Sequence, residues 1–220
     1  NQMAASLENY ESERKAMIAD IAHELRTPLT ALSLRLQALQ DGLVPLDEAE
    51  VNSLNRNAAL LSRLVEDLRV LSLADAGRLQ LKRRTVDVSA LVADVFDDYQ
   101  SRLSAQEVQG ELHLPDGQVL GYVDADRMTQ VIGNLLDNAL RVTPEGGAVS
   151  VTLEREGHDF LIRVRDTGPG LSEEAAARAF DRYFQEKDVN YSAPPPGASG
   201  LGLAIVRTLV ELHGGQVTVA

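Results

Sequence analysis

Apolar residues recur at helical spacing through the first third of the chain. Ile18, Leu25, Leu32 and Leu39 stand seven residues apart, and Ala22, Leu29, Leu36 and Leu43 form a second column four residues on. A seven-residue repeat keeps one seam facing a neighbouring helix, the pattern of a coiled coil or helical bundle. Asp41-Gly42 and Pro45 interrupt it, and Asp47 is placed to cap a second helix. The columns of that helix are Leu54, Leu61, Leu68 and Val51, Ala58, Val65, with Asn57 on the flank. The pair reads as a helical hairpin. Two helices with such wide apolar stripes bury too little surface alone. A four-helix bundle closed by a second copy is the simplest solution, which predicts a homodimer.

The pattern changes after Gly77, where "GRLQLKRRTVDVS" opens a different kind of chain. Residues 88–105 have helical periodicity, "GELHL" and "VLGYV" read as short strands, and 125–141 as an amphipathic helix. "AVSVTLERE" and "FLIRVRD" alternate with period two around Gly157-His158-Asp159, a hairpin signal. A helix over about 172–181 and another over about 201–213 complete the series. Strands mixed with helices predict an α+β two-layer sandwich, with a mixed sheet on one side and helices on the other. Between the last two helices, residues 185–199 are rich in Pro, Gly, Ser and Ala and read as a mobile loop or lid.

Composition narrows the chemistry. A net charge of −12 argues against nucleic-acid binding, which needs a basic face. The absence of Cys removes thiolate metal sites and cysteine nucleophiles. No run reaches the roughly 18 apolar residues of a membrane span, and there is no signal peptide. The chain starts without Met in a helical pattern and stops at "GGQVTVA", read as mid-strand, so both ends look like cuts from a longer protein.

Three motifs in the second part carry candidate chemistry. "DTGPG", Asp166 to Gly170, follows a strand. Its acid can accept a hydrogen bond from an amino group such as that of adenine, although a Gly-Pro-Gly turn by itself reads as only a turn. "GASGLGLAIV", 197–206, is a glycine-rich run opening a helix. Such backbone N–H groups suit phosphates; the bland reading is a glycine-rich cap. It matches neither the Walker loop nor the dinucleotide fingerprint. "NLLDNALRVTPEGG" puts Asn134, Asn138 and Arg141 on one helix face. A carboxamide oxygen can serve Mg²⁺, which keeps phosphates and water for its other positions; a solvated polar face fits the spacing equally well.

Taken in order, "NLLDNALR…TPEGG", "DTGPGL", "AFDRYF" and "GASGLGLAIV" resemble the ATP-binding domain of sensor histidine kinases, of the GHKL (Bergerat) ATPase type, and "AHELRTPL" resembles their phosphoacceptor box. The resemblance covers nearly the whole chain. It implies the end of an upstream HAMP-like signalling helix over 1–10, a dimerisation and phosphoacceptor hairpin over 11–77, a linker over 78–86 and a catalytic ATP-binding domain over 87–220. It also implies ATP and Mg²⁺ as cofactors, with Asn138 as the metal ligand and Asn134 lining the same face. Arg141 would lie near the phosphates, and Asp166 would read adenine in a pocket shaped by Gly168 and Gly170. Phe180 and Phe184 would anchor the lid. Gly200 and Gly202 would approach the phosphates, with Ser199 offering a hydroxyl. Val142, Gln185 and Ala198 depart from common family residues.

Of the four histidines, His113, His158 and His213 are read as structural. His23 falls on the polar line His23, Thr30, Gln37, one position off an apolar column, and so points out of the bundle. "HELRT" begins like a zincin helix, but Thr27 stands where the second histidine is required. A neutral imidazole has one nitrogen free to attack and one N–H for a carboxylate to hold. The resemblance gives those roles to His23 and Glu24. It assigns Thr27 to orienting water for dephosphorylation, and Arg26 could steady phosphate charge. Pro28 removes a backbone bond to the Glu24 carbonyl, which predicts a bend beside the histidine.

The resemblance therefore implies autophosphorylation of His23, transfer to an aspartate of a response regulator, and phosphatase action on that regulator. It places this part on the cytoplasmic side of a membrane-anchored bacterial protein. Two other readings remain at this point. One is a different ATPase of the superfamily. The other is a helical scaffold whose nucleotide domain binds without transferring.

Overall fold

The computed structural model describes residue 22, residues 25–184 and residues 200–219. The chain divides into two compact units, residues 1–69 and 70–220.

In the first unit, residues 25–40 form helix α1, and α2 begins at Glu48. The α1 end is closed by the Leu43 N–H, which donates to the Ala38 carbonyl at 2.9 Å across Gly42. Asp47 caps α2 as expected: its carboxylate accepts the Glu50 N–H at 2.8 Å. Arg35 then bridges the two helices, with one guanidinium nitrogen 3.0 and 2.8 Å from the two Glu50 oxygens. The two sequence columns separate by burial. Leu25, Leu32, Leu39, Leu54, Leu61 and Leu68 are half-buried, whereas Leu29, Leu36, Leu43, Val51, Ala58 and Val65 are exposed. Leu43 keeps 77% of its surface and Val65 56%. One column thus serves the hairpin, and the other remains as an apolar face. Pro28 is buried, and helix α1 runs through it unbroken; His23 and Glu24, where a bend was expected, lie outside the described residues.

The second unit starts within α2, which runs as one helix from Glu48 to Asp75. Gly77 stops it as expected, with the Arg78 N–H returning to the Leu73 carbonyl at 2.8 Å. The chain continues as β1 (Arg84–Asp87), α3 (Val88–Ala105), β2 (Gln109–His113), β3 (Leu120–Val123), α4 (Ala125–Val142), β4 (Ala148–Glu156), β5 (Asp159–Asp166), α5 (Glu173–Arg178) and α6 (Gly202–His213). β1 pairs antiparallel with β3; β4 pairs parallel with β2 and antiparallel with β5, so the larger sheet is mixed. Val149, Val151 and Leu153 alternate into the core from β4. Helices α3 and α4 lie against this sheet, and α6 packs on α4. Aspartates open two of them: Asp87 accepts from the Ser89 and Ala90 N–H groups, and Asp124 from that of Arg127.

Three local expectations differ from the structure. β1 takes in the last three residues of the stretch expected as linker, because residues 84–87 find a partner in β3. Helix α5 ends at Arg178, before the chain turns through the left-handed Tyr183. Residues 215–219 form no strand: the helix stops at left-handed Gly214, and no described strand pairs with them.

Candidate functional site

Helix α4 carries its core on one face and its chemistry on another. Met128, Val131, Ile132, Leu136, Ala139 and Leu140 are buried at three- and four-residue spacing. The remaining face presents Asn134, Asn138 and Arg141. Asn134 is only 4% exposed, and its amide donates to the carbonyl of Gly202 at 3.3 Å. It therefore acts as a strap from α4 to the glycine run rather than as an open ligand. Asn138 is half-buried, and its amide oxygen accepts from Arg141 Nη2 at 2.5 Å. Arg141 is exposed, and no carboxylate pairs with it among the described residues. A guanidinium without a counterion at this position is available to an anionic ligand.

The end of β5 supplies the second element. Asp166 Oδ1 accepts the Gly168 N–H at 2.8 Å, an aspartate turn that leaves Oδ2 as an acceptor. A Cβ on Gly168 would come within 2.7 Å of Asp166 Oδ1 and 2.9 Å of the Val142 carbonyl, so this position admits only glycine. Gly170 differs. It has φ of 75° and open space where a Cβ would stand, so it serves the turn rather than a close approach. Thr167, beside Asp166, accepts the Ala148 N–H at 2.9 Å and so fixes the turn to β4.

The glycine run is the third element. Helix α6 starts at Gly202, and no side chain caps it. The first N–H groups of a helix have no partner within it, and here no side-chain oxygen takes them up. Gly200 has φ of 62° and packs directly on the backbone of Tyr183. Phe180 and Phe184 are half-buried, and the Arg178 guanidinium lies 4.6 Å from the Phe184 ring centroid.

Helix α4 thus joins all three motifs: Asn134 reaches Gly202 at one end, Val142 abuts Gly168 at the other, and the Asn138–Arg141 pair lies between them. Among the described residues no three His, Asp or Glu side chains gather into a metal cage. An amide oxygen that shares a metal with ligand phosphates needs no such cage, and Asn138 fits that role. Arg26 and Thr27 are exposed on α1. His23, Glu24 and Ser199 lie outside the described residues.

His113 and His213 keep the structural roles expected of them. His113 sits 3.3 Å from Glu111 on the surface. The ring of His213 accepts the Asp124 N–H at 3.1 Å and donates to the Leu209 carbonyl at 2.8 Å, which ties α6 to the start of α4. Sequence reasoning missed the strapping role of Asn134, the Thr167 turn and the pairing of Arg182 with Asp75. The last of these joins residues 107 positions apart, and no local pattern announces it.

Known proteins match this arrangement. A family model described as histidine kinase-, DNA gyrase B- and HSP90-like ATPase matches residues 123–220. A second, the His kinase A (phospho-acceptor) domain, matches residues 13–77. The signal transduction histidine-protein kinase BaeS of Escherichia coli (strain K12) is 34% identical over all of the chain and 46% of its own length. The chain thus spans about half the length of such curated relatives. Among solved structures, the Acinetobacter baumannii histidine kinase AdeS is 33% identical, with a TM-score of 0.68 and 86% of each chain covered. Full-length ShkA, solved in complex with AMPPNP, is 26% identical with a TM-score of 0.61, covering 90% of this chain and 41% of that one.

Proposed function

Because the chain belongs to the sensor histidine kinases, we propose that it transfers the γ-phosphoryl group of ATP to His23 and passes it to an aspartate of a response regulator. One observation carries the reading. Helix α4 brings the acid-and-glycine turn, the Asn138–Arg141 pair and the glycine run into one site. Each motif alone admits a bland explanation; their convergence on one helix does not.

Asp166 Oδ2 accepts from the adenine amino group, while Gly168 and Val142 border the base. The N–H groups at the start of α6 and of Gly200 receive phosphate oxygens. Arg141 leaves the Asn138 oxygen for the phosphates, where its charge finds a counterion. Asn138 would hold Mg²⁺, which would supply charge neutralisation for the phosphates. One ring nitrogen of His23 forms the N–P bond as the bond to the oxygen of the departing ADP breaks. Glu24 holds the other N–H and stabilises the imidazolium. The receiving aspartate then takes the phosphoryl group and returns His23 to its neutral form. Thr27, exposed on α1, orients water in the reverse task of dephosphorylating the regulator.

The exposed column Leu29, Leu36, Leu43, Val51 and Val65 supports a homodimer in which a second hairpin covers that face. The phospho-acceptor model over residues 13–77 speaks against the other ATPases of the superfamily. No helix among the described residues is long and apolar enough to cross a membrane. The matched relatives extend well beyond the matched region, which leaves room for the membrane anchor that the resemblance implies, with this part on its cytoplasmic side. The test is phosphotransfer. The chain, labelled from γ-labelled ATP and freed of nucleotide, should hand its label to a purified receiver domain, and a receiver lacking its acceptor aspartate should remain unlabelled. Label that stays on the chain with every receiver tried contradicts the transfer step.

A further inference from the structure

Tyr183 and Gly200 meet backbone to backbone. Both are left-handed, with φ of 61° and 62°. The Tyr183 N–H donates to the Gly200 carbonyl at 2.9 Å, and a Cβ on Gly200 would stand 2.7 Å from the Tyr183 Cα. The chain at Tyr183 is therefore docked on the glycine run, two residues before the point where Gly202 receives Asn134. A tyrosine in the left-handed region persists only where its surroundings hold it.

The neighbouring side chain provides such a hold. Arg182 donates from Nη1 and Nη2 to the two oxygens of Asp75 at 2.7 and 2.6 Å, a fork-to-fork pair. The bond to Asp75 outweighs partial desolvation and raises the Arg182 pKa. Asp75 is the last residue of α2, a single helix from Glu48. A rotation of that helix about its axis carries the Asp75 carboxylate with it.

We propose that Asp75 and Arg182 are positioning residues for the nucleotide site: their bidentate pair fixes Tyr183, and through it Gly200, so that the last turn of α2 sets the shape of the phosphate-binding run. The inference rests on the nucleotide reading above. Neither residue touches the ligand. Linkage makes the effect reciprocal: a nucleotide that prefers the clasped run favours the clasped helix end. A partly exposed ion pair contributes little to global stability, so the clasp acts on ligand affinity more than on melting temperature.

The test uses the 220-residue chain with Mg²⁺ and a fluorescent ATP analogue. Asp75→Asn and Arg182→Gln should each raise the Kd by about twofold to fivefold, the most that a pair of this exposure can transmit. The double variant should be no worse than either single one, because both remove the same pair. Asp75→Glu should restore most of the affinity, and melting temperatures should stay together. Unchanged affinity in Asp75→Asn, or effects that add in the double variant, would overturn the clasp. Should the wild type bind no analogue, the nucleotide reading fails separately. The clasp is then read from hydrogen exchange at residues 200–206, which needs no ligand. Faster exchange in Asp75→Asn supports it, and equal exchange refutes it.

Discussion

The side-chain amide of Asn134 donates to the main-chain carbonyl of Gly202, so a buried residue of α4 holds the first turn of α6. A hydrogen bond of this kind contributes about 0.5–1.5 kcal/mol net. Asn134→Leu should therefore lower the melting temperature and weaken ATP binding together, since the bond it removes holds the glycine run to α4. Calorimetric titration with ATP and thermal unfolding of the same sample measure both. A variant that melts early yet binds ATP at full strength would reduce Asn134 to a packing residue.

Asn138 behaves differently, because its oxygen is shared with Arg141 rather than with the backbone. Asn138→Asp preserves the shape but pairs Arg141 with a carboxylate at a site that must receive phosphates. Phosphorylation should fall below detection while the dimer persists. Light scattering with a labelling assay separates the two readouts, and monomers in this variant would show that the α4 face also supports assembly.

Gly200→Ala introduces a Cβ against the Tyr183 backbone at a left-handed position. The strain is on the order of 1–2 kcal/mol per residue. The expected result is a modest loss of stability with a marked loss of nucleotide affinity, because the run must move to relieve the contact. Gly170→Ala meets open space and should cost the turn alone, leaving more affinity than Gly200→Ala.

Much of this was legible in the sequence, for physical reasons. Seven-residue spacing marked the hairpin, and the burial difference between Leu32 and Leu36 follows the two columns that it defined. Strict alternation marked β4 and β5. The Asn134, Asn138 and Arg141 face followed from helical period, and glycine at 168 and 200 followed from the close approaches seen there. Less legible were features that depend on distant partners. β1 is a strand because β3 lies beside it, not because of its own pattern. Residues 215–219 alternate like a strand but have no strand partner among the described residues. The Asp75–Arg182 pair and the Asn134–Gly202 bond join segments that only the fold brings together.

Asp124 offers a pH test of the α4 start. Desolvation works to raise its pKa, but the N–H groups of Lys82 and Arg127 and the charge of Arg127 outweigh it and hold the carboxyl below its usual value. A depressed pKa contributes stability that is complete above the unfolded value, about 4, and drains as pH falls through the folded value. Asp124→Asn, which keeps the cap and loses only the charge, should be less stable than wild type at pH 7 by about 0.3–1 kcal/mol, the scale of a charge at a helix N-terminus. The gap should close in acid. Urea unfolding at several pH values measures it, and a constant gap would deny the charge its role.

Under the proposed function His23 receives the phosphoryl group. Incubation with γ-labelled ATP and Mg²⁺, followed by acid and base treatment of the denatured chain, reads this out. The label should be lost in acid, survive base and be absent from His23→Gln. An unchanged label on His23→Gln, or no label on a wild type that binds ATP, would contradict it.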